Sequence, residues 1–177
     1  MAPHCASYVG IDICADAVCE ARRRARQIGM HPIAEWHVGD AAHVVRQWGR
    51  HTWRREPFDV ISCQMGLHYW NVDDAARILV DVPVRRGAAL VLTLPDAGTI
   101  LDSRHVVRVH PGGRRYVYHW PPFVCHSEEH RIDLNELETR LHGWRLIWNV
   151  RFDQLTDQRH YGVPDDRFYR AAVLVMA

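Results

Sequence analysis

The sequence contains no lysine; all 22 of its basic residues are arginine. A lysine nucleophile, Schiff base or phosphate-binding ammonium is therefore excluded, and basic chemistry falls to guanidinium and imidazole groups. An excess of one charge is missing too: 22 basic residues stand against 21 acidic ones, for a net charge of +1. No global field draws the chain to nucleic acid, so a polyanion would have to be gripped locally. No apolar run approaches the roughly 20 residues of a membrane helix. The opening MAPHCASYVG lacks the basic-then-apolar design of a signal peptide. The expectation is a soluble intracellular protein with no membrane partner. Cysteine is sparse and odd in number, five residues, with no C-x-x-C spacing among Cys5, Cys14 and Cys19. That speaks against a disulfide framework and against a structural zinc site. Internal repeats and low-complexity linkers are absent.

What is present is the composition of one globular domain: 177 residues, 47% apolar and 24% charged. Short apolar runs alternate with helical patterns. Residues 7–12 read as a buried strand ending in a carboxylate. Ala17, Val18, Ala21, Ala25 and Ile28 follow at helical spacing, with Gly29 as a stop. A second strand is expected over 33–38, a short helix over 42–48, and an Arg-rich loop over 49–57. A third strand spans Phe58 to Gln64. A helix capped by Asn71 or Asp73 follows and ends by Pro83 and Gly87, and a fourth strand runs from Ala88 to Leu94. This alternation predicts a mostly parallel sheet flanked by helices. The second half reads as a hairpin (106–109 with 115–120), a helix over 133–141, and two strands over 145–152 and 170–176.

In an open α/β sheet, ligands bind at the carboxyl ends of the parallel strands. Asp12, Asp40 and Gln64 fall at such ends. A carboxylate there accepts hydrogen bonds from ribose hydroxyls, and Asp40 could accept from an adenine amine. Each could equally be a turn or cap residue, since Asp is favoured in both places. Arg22-Arg-Arg24 with Arg26 is read as a solvated helix face. Cys125, His126 and His130 lack a second ligand pair and are not read as a metal site. Arg85-Arg86 and Arg114-Arg115 are candidates for phosphate contacts.

The stretch Phe58-Asp-Val-Ile-Ser-Cys-Gln-Met-Gly-Leu-His-Tyr69 ends a strand in Ser-Cys-Gln and continues into a turn carrying His68 and Tyr69. It resembles the S-C-Q-x-x-x-H-Y element of the mRNA cap guanine-N7 methyltransferases. Tyr8-Val-Gly-Ile-Asp-Ile13, Trp36-His-Val-Gly-Asp-Ala41, Leu92-Thr-Leu-Pro-Asp96 and Ile132-Asp-Leu-Asn-Glu-Leu137 are similar, in the same order, to further segments of that family. The resemblance implies a Rossmann-like S-adenosylmethionine-dependent methyltransferase fold, mostly parallel with its last strand antiparallel. It implies transfer of a methyl group to N7 of the cap guanine. Asp12, Asp40, Gln64 and Tyr69 would then bind the cofactor, S-adenosylmethionine. Met65, His68, Pro95 and Glu136 would line the guanine site, with Glu136 accepting from the guanine N1–H and N2–H. No residue would act as acid or base, and no metal is called for. The partners would be the capped mRNA 5′ end and other capping-enzyme domains or subunits. The compartment would be the nucleus for a cellular enzyme, or host cytoplasm or virion for a viral one.

The chain departs from the family in two places. The Gly-rich D-x-G-C-G-K-G-x-D turn and the strand before it have no counterpart. Residues 1–177 are therefore expected to be a single, N-terminally incomplete domain lacking the first strand, with about a hundred residues missing. A cap-contacting Tyr of the last strand is replaced in register by Ala171-Ala172, with Tyr169 nearby. Three readings stay open: a cap methyltransferase, a non-catalytic subunit or degenerate copy of the same fold, and a small-molecule methyltransferase. Taken singly, His68 could be a satisfied turn histidine, Tyr69 could be core cover, and Glu136 an exposed helix residue.

Overall fold

The computed structural model describes residues 5–50, 56–64, 66–96, 106–109, 115–119, 126–130, 132–153 and 168–177. The chain forms two compact units, residues 1–55 and 56–177.

The N-terminal unit opens with β1 (Tyr8–Asp12), α1 (Ala15–Gln27), β2 (Ala34–Val38) and α2 (Ala41–Arg50). β1 and β2 pair in parallel, with Asp12 opposite Val38. Val18 and Ala25, two helical turns apart, bury the inner face of α1. Glu20 faces outward and receives Arg23 and Arg24 at 2.6–2.7 Å. These guanidiniums hold its carboxyl down to about 2. Gly29, at φ 72°, ends the helix. Its amide bonds to the Arg26 carbonyl and that of Met30 to the Ala25 carbonyl, the paired closure that a left-handed residue permits.

The C-terminal unit is built on a four-stranded sheet in the order β3-β4-β9-β8. β3 (Phe58–Gln64) and β4 (Val84–Pro95) are parallel. β9 (Phe168–Met176) runs antiparallel between β4 and β8 (Trp144–Asp153). α3 (Val72–Val80) and α4 (Leu134–Arg140) cover one face. Leu90, Leu92, Leu94 and Leu174 are all within 1% of full burial on that face. They pack with Ala75, Leu79, Leu134 and Leu137 in one core. Asn71 caps α3 through the Asp74 amide at 2.9 Å. Asp133 caps α4 by accepting from the amides of Asn135 and Glu136. A second sheet, β5 (Val106–Val109), β6 (Arg115–His119) and β7 (His126–His130), is antiparallel throughout.

The expected fold class holds: α/β, parallel pairs in the first half, and an antiparallel last strand. Among the described residues β1 pairs with β2, and β3 with β4. β4 begins at Val84, four residues earlier than its apolar run. Gly87 at φ 80° sits within this early stretch, where the β3–β4 register shifts between Phe58 and Val60. β7 is a strand that residue pattern does not announce; its sequence His-Ser-Glu-Glu-His is polar, and pairing with β6 supplies its order. The Arg-rich loop lies largely outside the described residues. No helix among them is long and apolar enough to cross a membrane.

Candidate functional site

In the N-terminal unit, Asp12 and Asp40 stand at the same end of the parallel pair, just past the carboxyl ends of β1 and β2. Both are exposed. The Asp12 carboxylate accepts the Cys14 amide at 2.8 Å through Oδ1. That of Asp40 accepts the Ala42 amide at 2.7 Å, and its carbonyl receives the His43 and Val44 amides at 3.0 Å. Each carboxylate thus shapes its own turn with one oxygen. The other has no partner among the described residues. Two acceptor oxygens at one end of a parallel pair suit a donor-rich ligand such as a ribose diol or an amine.

In the C-terminal unit, Gln64 ends β3, exposed and directly opposite Thr93. The Thr93 hydroxyl donates to Gln64 Oε1 at 2.8 Å, and Gln64 Nε2 donates to Ser62 Oγ at 3.0 Å. The side chain is therefore held across the carboxyl edge of the β3–β4 pair. Leu67–Tyr69 form a single 3-10 turn after it. Leu67 drops into the core and anchors the turn. Tyr69 is 55% exposed and lies against the His68 ring, with centroids 4.2 Å apart. His68 is only 2% exposed, a buried histidine of the turn. Pro95 closes β4, half-buried, opposite Tyr169. Met65 lies outside the described residues.

Glu136 sits in the first turn of α4. Arg140, one turn on, reaches Glu136 Oε1 at 3.2 Å and also bonds Asp73 of α3. Glu136 is therefore part of an ion network that ties α4 to α3. Leu134 and Leu137, on either side of it, share the core with Leu67 and Leu94. That places the α4 first turn and the His68 turn on one side of the sheet.

Cys63, on the neighbouring face of β3, has its thiol pushed up by burial. The phosphate candidates Arg85-Arg86 fall at the amino end of β4, the wrong end for this site. Arg85 pairs with Glu56 at 3.5 Å and Asp59 at 3.6 Å. Arg114 lies outside the described residues, and of Arg115 only the strand is described. No group of three or more metal-ligating side chains occurs among the described residues.

Residue patterns passed over one cluster at the productive end of the sheet. Asp96, one residue beyond β4, is 3% exposed. It accepts Arg170 Nε at 2.5 Å through Oδ1 and forms an ion pair with Arg151, Nε to Oδ2 at 2.9 Å. Arg170 Nη1 also donates to Asn149 Oδ1 at 3.0 Å. Arg170 and Asp96 are 74 residues apart, so no local spacing could have joined them.

Comparison with solved structures finds the same architecture over nearly the whole chain. A putative S-adenosylmethionine-dependent methyltransferase from Listeria monocytogenes superposes with a TM-score of 0.66 at 12% identity, covering 97% of this chain and 81% of that one. Magnesium protoporphyrin IX methyltransferase from Synechocystis PCC 6803, with bound SAH, gives 0.60 at 14% identity, over 99% and 67% of the two chains. Geranyl diphosphate methyltransferase in complex with SAM gives 0.60 at 11% identity, over 97% and 69%. The fold is that of the S-adenosylmethionine-dependent methyltransferases.

Two curated relatives carry one description. The mRNA cap guanine-N(7) methyltransferase of Schizosaccharomyces pombe is 24% identical over 175 residues, 93% of this chain and 44% of its own length. The mRNA cap guanine-N(7) methyltransferase of Caenorhabditis elegans is 45% identical over 53 residues, 28% of this chain and 14% of its own length. The chain thus spans under half the length of these relatives. No family model matches.

Proposed function

We propose that this chain transfers a methyl group from S-adenosylmethionine to N7 of the guanine that caps messenger RNA. The observation that carries the reading is the Ser62-Cys-Gln64 strand end followed by the His68-Tyr69 turn, in a chain whose curated relatives are cap methyltransferases.

Guanine N7 bears a lone pair, so no side chain has to remove a proton. What the protein must do is orient and exclude water. When bound, S-adenosylmethionine supplies a methyl carbon made electrophilic by its sulfonium. Asp12 would accept from the ribose hydroxyls and Asp40 from the adenine amine, each through the oxygen its own turn does not use. Gln64, fixed by Thr93 and Ser62, and the exposed ring of Tyr69 would border the cofactor. Met65, His68 and Pro95 would line the guanine pocket. Glu136, braced by Arg140, would present a carboxylate edge to guanine N1–H and N2–H. Adenine offers no such donor pair, which gives the base preference.

A second reading, methylation of a small acceptor, draws on the burial of His68 and on the hold of Arg140 over Glu136. The test is incubation of the chain with radiolabelled S-adenosylmethionine and a capped RNA oligonucleotide, followed by digestion to nucleosides. Label in 7-methylguanosine supports the cap reading. Label in small acceptors with none in capped RNA overturns it in favour of the second. No transfer to either acceptor leaves a non-catalytic member of the fold.

A further inference from the structure

We propose that the second half of α1 is a binding surface for the phosphate backbone of single-stranded RNA, the transcript that follows the cap. Between Glu20 and Arg26 four guanidiniums, those of Arg22, Arg23, Arg24 and Arg26, stand against one carboxylate. The whole chain has a net charge of only +1, so positive charge is concentrated here. A helix C-terminus carries about half a unit of negative charge. Most of the surplus is therefore left unbalanced by the helix itself.

All four arginines are exposed. Glu20 takes Arg23 Nε and Nη2 on its two oxygens at 2.6 and 2.7 Å, and Arg24 Nε at 2.7 Å. One carboxylate thus sets two guanidinium planes, and leaves Arg23 Nη1 and both terminal nitrogens of Arg24 for a ligand. Arg22 Nη2 donates to the Trp36 carbonyl at 2.8 Å, a neutral acceptor, so its charge is not cancelled. Arg26 has no partner among the described residues, and the other three have none there beyond those named. Arginine forks match phosphate oxygens, and two of these are already ordered. The buried residues of α1, Val18 and Ala25, are committed to the packing of their own unit. The arginine face offers a bilayer no apolar stripe, so the surface suits an RNA backbone rather than a lipid. α1 begins three residues past Asp12, and Arg22 and Arg26 lie roughly 10 and 16 Å along its axis from Ala15. The surface is set back from the strand ends, where it would meet the transcript and not the cap. Assigning the polyanion to a capped transcript rests on the function proposed above. The surface itself stands on its charge and geometry.

The experiment is titration of a fluorescein-labelled, uncapped oligouridylate with the whole chain, read by anisotropy between about 50 and 200 mM salt. The variants are Arg26→Gln, Arg26→Lys and Arg23→Gln, with Arg145→Gln, an exposed arginine of β8, as control. Arg26→Gln removes no contact seen within the chain, so folding does not cloud it; Arg22, which ties α1 to β2, is left in place. Three phosphate contacts give a slope of log affinity on log salt of about −2. Arg26→Gln and Arg23→Gln should each weaken binding about five- to tenfold at the lowest salt and flatten the slope by about 0.7. Arg26→Lys should keep most of the affinity, and Arg145→Gln all of it. Absence of RNA binding by the unaltered chain, an unchanged slope in Arg26→Gln, or an equal loss in Arg145→Gln overturns the surface. Tighter binding of phosphatidylserine vesicles or polyglutamate than of RNA overturns the choice of RNA. Methyl transfer to a cap dinucleotide and to a capped oligonucleotide separates the surface from the proposed function. In Arg26→Gln, KM should rise for the capped oligonucleotide and stay for the dinucleotide. Methylation of both with unchanged KM overturns the surface and spares the function. RNA binding weakened in Arg26→Gln, in a chain that methylates neither acceptor, overturns the function and spares the surface.

Discussion

Gly10 lies at the centre of β1, directly opposite Trp36 of β2. A methyl group added there would sit 2.4 Å from both Cε3 and Cζ3 of Trp36 and 3.2 Å from Tyr8 Cε1. Carbon atoms rest about 3.5–4.0 Å apart, so the overlap with the indole exceeds about 1 Å. Gly10 is not among the positive-φ glycines, so the cost of Gly10→Ala is steric. Trp36 can yield only by swinging off the strand, which breaks its ring contact with Tyr8, now at 5.0 Å. Overpacking costs about 1–3 kcal/mol and the lost aromatic pair about 0.5–1.5 kcal/mol. Together they give about 2–4 kcal/mol. Hydrogen exchange of the β1 amides reads this unit by itself and should accelerate by about 30- to 1000-fold. The decisive control is the Trp36→Leu background, where a smaller side chain leaves room for the methyl. There the added cost of Gly10→Ala should largely vanish, a coupling that a double-mutant cycle measures. An equal cost in both backgrounds would refute the steric account.

Leu137 is fully buried beneath a helix of seven residues, too short to stand alone; Leu137→Ala should cost about 2–5 kcal/mol in urea unfolding, and Asp133→Ala, which removes the cap, about 1 kcal/mol. The reverse order would mean that capping rather than packing seats α4. Burial raises the Cys63 thiol above its ordinary value of 9.0. The stability this confers is complete below about pH 9 and is lost as pH climbs through the raised value. A thiol reagent at neutral pH should accordingly modify exposed Cys14 and Cys19 well before Cys63, as peptide mapping would show. On the proposed function, Glu136→Gln turns an acceptor oxygen into a donor facing guanine and should cost about 1–3 kcal/mol in binding of a cap analogue. Unchanged affinity would remove Glu136 from the site.

The parts of this fold legible in the residues are those whose order is local. The apolar run of β3 between Pro57 and the Ser62–Gln64 end is one. The cap of Asn71 on α3 and that of Asp133 on α4 are others. What could not be read depends on distant partners. β7 owes its order to β6 rather than to its own polar residues. Asp12 and Asp40 were legible as strand-end carboxylates, and the structure adds that each also shapes its own turn. Burial of His68 depends on cover from neighbouring elements, which no spacing announces. Adjacency in sequence made Arg85-Arg86 conspicuous as phosphate candidates, and the structure sets them at the amino end of β4. Arg151 and Arg170 meet only across a sheet.

The placement of β9 between β4 and β8 has a kinetic consequence. β9 must find a strand whose matching residues lie about eighty positions earlier, as the pairing of Leu92 with Ala172 shows. Closing a chain segment of that length before any contact repays it is slow, and topologies dominated by such pairings fold in milliseconds to seconds. Until β9 arrives, β4 offers an unpaired edge along Ala89 to Pro95, a template for the same strand of another copy. Refolding should thus be a race between intramolecular closure and association, with the yield of monomer falling as protein concentration rises.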